Sequence, residues 1–197
     1  MATEYERKFR GRTELEPLLR ALFSEPRQMQ METTYYDTPD RAFSNRRCTL
    51  RRRLENGRSI CTLKTPKSDG SRGEWELEAE DMIPASETLC KLSGLQECLQ
   101  WLRGGLITVC SARFVRLFWE VALEDGTAEV AFDLGQLQGG DRVCPICELE
   151  IEQKTCSRAQ CDRFAEELAR RFALVEETES KFARAMALCR EASDGCI

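Results

Sequence analysis

Apolar and polar residues alternate at every second position in seven separate segments of this 197-residue chain. The segments are EYERKF (4–9), TLRRRLE (49–55), SICTLKT (59–65), GEWELEAE (73–80), FVRLFWEVAL (114–123), AEVAFDL (128–134) and CELEIEQ (147–153). Side chains on a strand alternate between its two faces, so this period predicts β-strands. A helical interpretation of the first segment would make Glu4 and Lys8 a surface pair one turn apart. The six further segments favour the strand.

Turn residues separate several of these strands, and helical patterns fill the remaining sequence. Turns are predicted at Glu55-Asn56-Gly57, Ser68-Asp69-Gly70, Glu124-Asp125-Gly126 and Gly139-Gly140-Asp141. Four helices are predicted, with N-caps at Thr13, Ser86, Ser157 and Ser180. The sequence contains no internal repeat and no obvious linker. We therefore predict a single domain over residues 1–197, with its core at about 2–190 and a disordered tail at 191–197.

Whole strand faces are sorted by the sign of their charge. Glu148, Glu150 and Glu152 share one face of their strand, and Arg51 and Arg53 share a face of another. In a simple sandwich these charged faces would lie in solvent. Like charges two positions apart repel each other, so their accumulation favours a fold in which opposite charges or ligands compensate them. A closed antiparallel barrel of about eight strands brings such faces together around a small lumen.

In such a barrel the charged faces turn inward and the apolar faces lie under helices. The lumen would then combine a basic set with an acidic set, namely Arg51, Arg53, Lys64 and Arg116 with Glu4, Glu6, Glu148 and Glu150. Burying many ions is costly unless they are paired, which favours a binding site as the reason for their presence. The basic groups would bind a polyanion, and the carboxylates would hold divalent cations. The sandwich with a solvated charged face remains the alternative.

Composition narrows the chemistry further. The chain contains no histidine, which excludes Ser-His-Asp and Cys-His catalysis and every histidine-based metal site. Its eleven cysteines show no repeated spacing and a single CxxC, at Cys144–Cys147, so we interpret them as reduced structural thiols rather than a zinc site. The net charge of −5 and the lack of an apolar run of membrane length predict a cytoplasmic protein with neither nucleic acid nor membrane as partner.

The order of these segments resembles that of the CYTH domains, the triphosphate tunnel metalloenzymes. The residues that carry the resemblance are the ExExK of Glu4–Lys8, YYDT (35–38), LRRR (50–53), TLK (62–64), GEWELE (73–78), Arg116, Asp133, ELEIE (148–152) and SKFARA (180–185). The resemblance spans nearly the whole chain. It implies an α+β fold in which a closed antiparallel β-barrel with a charged tunnel is flanked by helices. It also implies a triphosphate-bearing substrate and Mg²⁺ or Mn²⁺ as cofactor.

The resemblance further implies roles for individual residues. The candidates for phosphate binding are Lys8, Arg51, Arg53, Lys64, Arg116 and Lys181. The candidate metal ligands are Glu4, Glu6, Glu148, Glu150 and Asp133, and the catalytic set is Glu4, Glu6, Lys8, Glu148 and Glu150. Glu74 and Glu76 match acids that orient basic residues around the substrate. Arg113 is a further candidate for substrate binding, although it is out of phase with Arg116 on a regular strand.

We therefore expect a metal-dependent hydrolase that cleaves the terminal phosphoanhydride of inorganic triphosphate with metal-activated water. The absence of histidine disfavours the adenylate cyclases of the family, whose N-terminal motif is extended by a histidine. A nucleoside or thiamine triphosphatase is one alternative, and a non-catalytic module that binds polyphosphate or nucleotides is another. The complete set of acids favours an enzyme, because binding alone needs fewer carboxylates. The expected oligomeric state is a monomer or a homodimer.

Overall fold

A computed structural model describes residues 2–68 and 72–190, with side chains for residues 5–68 and 72–189. Within this part of the chain, ten strands form one antiparallel sheet, flanked by five α-helices. The predicted Asp69-Gly70 turn, the predicted disordered tail at 191–197 and the side chain of Glu4 lie outside the described residues.

The strands are β1 (Ala2–Glu4), β2 (Glu6–Arg10), β3 (Arg27–Asp37), β4 (Thr49–Glu55), β5 (Arg58–Pro66), β6 (Arg72–Glu78), β7 (Ile107–Leu123), β8 (Gly126–Gly139), β9 (Arg142–Gln153) and β10 (Val175–Glu176). The helices are α1 (Leu15–Phe23), α2 (Met82–Ser93), α3 (Gln96–Trp101), α4 (Arg158–Phe172) and α5 (Lys181–Arg190). Short 3₁₀ turns cover Ser44–Arg46 and Leu102–Gly104. Each of the seven alternating segments lies in strands, apart from Tyr5 between β1 and β2 and residues 79 and 80 after β6.

The sheet curls into a barrel-like structure. Its strand order is β1-β6-β5-β4-β3-β7-β8-β9-β2-β10. β1 and β2 are consecutive segments separated only by Tyr5, and they pair with β6 and β9 respectively. The N-terminal segment therefore joins the two sides of the sheet, although the barrel is not strictly closed. The predicted fold class is confirmed, with more strands than expected because β3 and β10 lie outside the alternating segments.

The first hairpin turn follows the sequence prediction. Asn56 and Gly57 connect β4 to β5 with φ values of 50° and 88°. Positive φ at both central residues is the geometry of a type I′ turn, which matches the twist of the two strands. This turn fixes the register of β4 against β5, in which Arg51 lies opposite Thr62.

The apolar faces of the strands pack outward against helices. Phe132, Leu149 and Ile151 lie in a core with α1 and α4, and Leu50 and Leu63 lie in a second core with α2 and α3. Complete burial of a large apolar side chain contributes about 1.5–3 kcal/mol to stability. The direction of this packing leaves the charged faces inside the barrel, as the sequence predicts.

The helix ends match the predicted caps at two of four positions. The Oγ atoms of Ser157 and Ser180 each accept a hydrogen bond from the main-chain N–H three residues later, at 3.2 and 3.1 Å. The predicted caps at Thr13 and Ser86 are wrong, since α1 has no side-chain cap and Ser86 lies within α2. α2 begins at residue 82 because Asp81 caps it, and a proline in the first turn of a helix is tolerated.

The described cysteines are free thiols, and most of them are packed in the apolar cores. Burial raises the pKa of Cys48 to about 11 and that of Cys161 to about 12. Thiols with such high pKa values are almost entirely protonated at neutral pH and unreactive as nucleophiles. These positions support the interpretation of the cysteines as small apolar side chains.

Candidate active site

The charged strand faces enclose a tunnel of about 300 Å³ inside the barrel. Its lining includes three carboxylates, Glu6, Glu150 and Glu152. Seven of the described basic residues also line it, namely Lys8, Arg51, Arg53, Lys64, Arg72, Arg116 and Lys181. A lining with this excess of positive charge attracts a ligand that carries several negative charges.

Three carboxylates meet at one side of the tunnel. Asp133 of β8 lies directly opposite Glu148 of β9, and Glu150 follows two positions later on the same face. Each of the three offers one oxygen to a group whose members all lie within 4.8 Å of one another. Asp133 and Glu148 are only 0% and 1% exposed. Like charges directly opposite each other on neighbouring strands are destabilising, so this carboxylate cluster requires cations beside it.

Lys181, the first residue of α5, supplies one of these cations. Its Nζ lies 2.9 Å from Oδ2 of Asp133 and 2.6 Å from a carboxylate oxygen of both Glu148 and Glu150. Burial by itself lowers the pKa of a lysine, but the three carboxylates outweigh burial and raise the pKa of Lys181 well above its usual range. Lys181 is therefore charged at neutral pH and neutralises part of the cluster.

Arg116 supplies the second cation from β7. It lies opposite Asp133 in the sheet, and its guanidinium donates two hydrogen bonds to that carboxylate, at 2.8 and 2.7 Å. A third hydrogen bond of 2.5 Å reaches Glu150. Burial raises the pKa of Glu150, but Lys181 and Arg116 outweigh it and lower that pKa below its usual range. Glu150 is therefore ionised at neutral pH.

Glu148 is positioned differently from its two neighbours. Its Oε1 accepts a hydrogen bond from Arg184 of α5, whereas its Oε2 is buried and has no hydrogen-bond donor in the described part of the structure. Nζ of Lys181 lies within ion-pair distance of Oε2 but not in hydrogen-bond alignment. This buried oxygen therefore has an ionic partner but accepts no hydrogen bond from the described residues, which leaves it able to bind a further cation.

This donor set fits a hard divalent cation. Asp133, Glu148 and Glu150 offer only oxygen atoms, which is the ligand type that Mg²⁺ and Mn²⁺ prefer. Oε2 of Glu148, which accepts no hydrogen bond from the described residues, is an atom that such an ion would contact. Lys181 contacts the same three carboxylates, so the ion would share the cluster with its ammonium group or displace it.

The opposite side of the tunnel is basic. Oε1 of Glu74 lies 3.3 Å from Nη2 of Arg51 and 3.2 Å from Nζ of Lys64. These two ion pairs hold both cations towards the lumen. Arg53 forms an ion pair with Glu55, and its Nε is buried without a hydrogen-bond acceptor among the residues that the structure describes. Burial and the nearby Arg51 lower the pKa of Arg53. A buried guanidinium with an unsatisfied N–H facing other cations is suited to an anionic ligand.

The structure brings most of the predicted site residues together. Lys8 and Glu6 line the tunnel from β2, with Nζ of Lys8 4.0 Å from Oε1 of Glu6. Lys8 lies opposite Glu150 in the sheet. Glu76 is more exposed and accepts a hydrogen bond of 3.1 Å from Thr62. It lines a neighbouring cavity of about 280 Å³ that shares Arg51, Arg53, Arg116 and Glu152 with the tunnel.

Arg113 does not reach the tunnel. Its side chain is 69% exposed and lies 3.6 Å from Glu32 on the barrel exterior. Arg113 and Arg116 are three positions apart on β7, so their side chains point to opposite faces of a regular strand. Arg113 therefore lies on the outer face of β7, whereas Arg116 lies on the inner face with the other basic candidates.

Two of the described basic residues near the site are absent from the sequence-based set. Arg184 binds Glu148, and Arg72 lines the tunnel from β6. For Arg184 the sequence does contain a signal, because residues three apart on a helix share a face and Lys181 is three positions earlier. Arg72 gives no such signal, since it lies at the start of its strand, directly after the segment 69–71.

Comparisons with known proteins identify the family of the chain. The CYTH domain family matches residues 2–186, and the chain therefore belongs to the CYTH domain family. An inorganic triphosphatase of Haemophilus influenzae is 32% identical over 133 residues, which are 66% of this chain and 38% of that protein. The chain thus spans well under half the length of this relative. Triphosphatase activity is supported at the level of the family.

Solved structures share the fold. A protein of Pyrococcus horikoshii aligns with a TM-score of 0.64 and 22% identity over 93% of this chain and 98% of that chain. A Hippeastrum protein, described as an adenylyl cyclase with a dominant triphosphatase activity, aligns with a TM-score of 0.61 and 19% identity over 98% of this chain and 96% of that chain. At these identities the likeness establishes the fold. No helix in the described part of the chain is long and apolar enough to cross a bilayer.

Proposed function

We propose that this protein hydrolyses the terminal phosphoanhydride of inorganic triphosphate or a related triphosphate, with Mg²⁺ or Mn²⁺ as cofactor. The observation that carries the proposal is the juxtaposition of a basic tunnel with a buried carboxylate cluster. A tunnel that only bound phosphate would gain nothing from this cluster, in which Glu150 lines the tunnel wall and Asp133 and Glu148 lie beside Glu150, because each carboxylate repels the ligand. A divalent cation between carboxylates and phosphate oxygens removes this conflict.

The basic residues would bind and orient the substrate. The groups that we assign to the phosphate oxygens are Lys8, Arg51, Arg53, Lys64 and Arg116, which together are called the basic wall. Because these side chains lie in a partly buried tunnel, their charges act on the phosphate with little screening by water. Donors fixed in advance towards the equatorial oxygens stabilise the charge that develops during phosphoryl transfer.

The carboxylates would hold the cofactor. Asp133, Glu148 and Glu150 are the proposed ligands. Glu6, on the strand β2 that pairs with β9, and Glu4 are further candidates from the N-terminal segment. When bound, the cation would polarise the phosphoryl group and lower the pKa of the attacking water. Lys181 would contact both the carboxylates and the substrate, since its ammonium group lies between the cluster and the tunnel.

Phosphate release assays test this proposal most directly. The purified chain is assayed with tripolyphosphate, ATP and thiamine triphosphate, first with Mg²⁺ and then with Mn²⁺. We expect hydrolysis of tripolyphosphate that EDTA abolishes and added metal restores. Full activity in a verified metal-free preparation would exclude a metal-dependent mechanism. Tight binding of tripolyphosphate with no phosphate release under any metal would instead identify a binding module.

A further inference from the structure

Arg184 reaches the carboxylate cluster from outside the tunnel. It lines a separate cavity of about 690 Å³, and among the described residues no lining residue of this cavity also lines the tunnel. Nη1 of Arg184 donates a hydrogen bond to Oε1 of Glu148. In the described part of the chain Glu177 is its other carboxylate partner, with Oε2 3.8 Å from the same Nη1. Arg184 therefore acts on Glu148 rather than on a ligand in the tunnel.

The backbone of Arg184 is fixed by the packing of α5 on the barrel. Ala185 and Met186 are buried in one core with Leu137 of β8. A Cβ atom added to Gly139 would lie 2.2 Å from the carbonyl oxygen of Ala185, so α5 crosses the end of β8 at a distance that only glycine allows. The helix therefore has little freedom to carry Arg184 away from the cluster.

Glu177 keeps the guanidinium of Arg184 in position. The side chain of Glu177 is only 5% exposed, and its two oxygens accept hydrogen bonds from Nε of Arg10 at 3.1 Å and from the main-chain N–H of Glu179 at 3.0 Å. Its own main-chain N–H donates to the carbonyl oxygen of Lys8 at 2.8 Å. Glu177 is thus anchored to β2, and two fixed carboxylates hold the guanidinium.

The hydrogen bonds of the cluster leave one carboxylate oxygen available. Both oxygens of Asp133 and both oxygens of Glu150 accept hydrogen bonds from basic side chains. Oε1 of Glu148 accepts the hydrogen bond from Arg184, whereas Oε2 accepts none from the described residues. As long as Arg184 stays in place, Glu148 can therefore offer a cation one oxygen and not two.

Mg²⁺ and Ca²⁺ differ in the number of oxygens that they require. Ca²⁺ takes about six to eight oxygen ligands and binds carboxylates through one or both oxygens. Mg²⁺ is smaller and requires a nearly octahedral arrangement, and it is usually held by one or two carboxylates while it keeps several waters. A cluster whose oxygens are mostly occupied by basic side chains therefore suits Mg²⁺ better than Ca²⁺.

We propose that Arg184 is a specificity-determining residue for the metal. By occupying Oε1 of Glu148 it restricts this carboxylate to one oxygen and shifts the preference of the cluster towards Mg²⁺ and away from Ca²⁺. The proposal rests on the proposed function, because it takes the carboxylate cluster as the metal site. Without Arg184, both oxygens of Glu148 are free to bind one larger cation.

Metal binding in the absence of substrate tests the proposal. Bound Mn²⁺ is followed by electron paramagnetic resonance, and Mg²⁺ and Ca²⁺ are titrated as competitors to give their dissociation constants. Arg184→Met removes the guanidinium, and Arg7→Met is the matched control. The side chain of Arg7 is 22% exposed against 21% for Arg184. Arg7 also pairs with two carboxylates, which are Asp162 and Glu176 and lie outside the cluster.

In Arg184→Met both ions should bind more tightly, because a competing positive charge is gone. The ratio of the Ca²⁺ to the Mg²⁺ dissociation constant should fall about tenfold, the lower end of the effect of groups that support metal ligands. In Arg7→Met the ratio should stay at the parent value. An equal change of both dissociation constants in Arg184→Met would overturn the proposal, and so would an equal fall of the ratio in Arg7→Met.

Infrared spectroscopy reports the mode of binding, because a carboxylate that binds a cation through both oxygens absorbs at a different frequency from one that binds through a single oxygen. The Ca²⁺-loaded Arg184→Met variant should show a two-oxygen band that is absent from the Ca²⁺-loaded parent. Adding Glu148→Gln to that variant should remove the band. A two-oxygen band in the parent that Glu148→Gln removes would overturn the proposal, and this measurement does not require a folded Arg184 variant.

The outcomes also separate this proposal from the proposed function. Metal-dependent hydrolysis of tripolyphosphate with an unchanged ratio in Arg184→Met would leave the function intact and refute the role of Arg184. A lowered ratio in that variant, without hydrolysis of tripolyphosphate by the parent, would support the role of Arg184 and refute the enzyme. A parent protein that binds no Mn²⁺ would overturn both.

Discussion

Replacing Lys181 by methionine tests the carboxylate cluster by its effect on stability. The ammonium group of Lys181 lies within 2.9 Å of an oxygen of each of the three carboxylates, which are almost completely buried. Methionine has a similar volume and no charge, so the variant leaves these carboxylates with Arg116 and Arg184 as their nearest cations. Removing one partner of a buried ion pair costs about 3–5 kcal/mol, because the remaining charge is uncompensated.

A divalent cation should reverse much of this loss. In EDTA, urea titrations of Lys181→Met should give a free energy of unfolding about 3–5 kcal/mol below that of the parent. Mg²⁺ or Mn²⁺ at about 100 times its dissociation constant should restore about 2.7 kcal/mol, since the ion binds only the folded cluster. The variant should also bind Mn²⁺ more tightly than the parent protein, because a competing positive charge is gone.

Two results would refute this reasoning. Unfolding of Lys181→Met at the parent urea concentration in EDTA would mean that the ammonium group does not neutralise the cluster. A destabilised variant that no divalent cation rescues would mean that the three carboxylates do not form a metal site. Lys91→Met is the matched control, because Lys91 is exposed on α2, and its free energy of unfolding should change by less than about 0.5 kcal/mol.

Three further predictions concern individual side chains. Glu150→Gln should lower the rate of hydrolysis by orders of magnitude while the affinity for triphosphate changes little, as titration calorimetry and phosphate release would show. Arg53→Ala should weaken binding and turnover together, whereas Arg113→Ala, outside the tunnel, should match the parent in both assays. Burial raises the pKa of Glu177, but a main-chain N–H and two guanidinium groups outweigh it and hold that pKa below its usual range. The contribution of Glu177 to stability is therefore present above the usual glutamate pKa and is lost as the pH falls through the lowered value. Glu177→Gln should unfold more easily than the parent at neutral pH, and the two proteins should be equally stable at low pH.

Each of these predictions has a contrary outcome. Parent rates in Glu150→Gln would remove this carboxylate from the catalytic set. A loss of triphosphate affinity in Arg113→Ala as large as in Arg53→Ala would mean that the exterior of β7 binds substrate. A difference in stability between Glu177→Gln and the parent that does not shrink on acidification would contradict the lowered pKa of Glu177.

Much of the site follows from strand periodicity alone. Glu148 and Glu150 share a face because they are two positions apart, and so do Arg51 and Arg53. The same rule separates Arg113 from Arg116. These are local properties of the backbone, and sequence spacing determines them wherever a strand forms.

Contacts between elements far apart in sequence were not predictable in this way. The sequence does not specify that Asp133 lies opposite Glu148, because the pairing depends on the register of β8 against β9. It also does not specify that α5 brings both Lys181 and Arg184 to the same cluster. β3 lies outside the alternating segments although its 11 residues connect β4 to β7.

The amino-acid sequence by itself determined most of the strands, although not β3 and β10. It also determined which side chains share a face, and that whole faces carry one sign of charge. Only the tertiary structure decided that these faces point inward. The choice depends on the N-terminal segment, whose two parts pair with β6 and β9 and so join the two sides of the sheet. Curling of the sheet places acidic and basic faces across one lumen, where the attraction between them offsets the repulsion within each face. A flat sheet of the same strands would leave the same charges in solvent, too far apart to form a site.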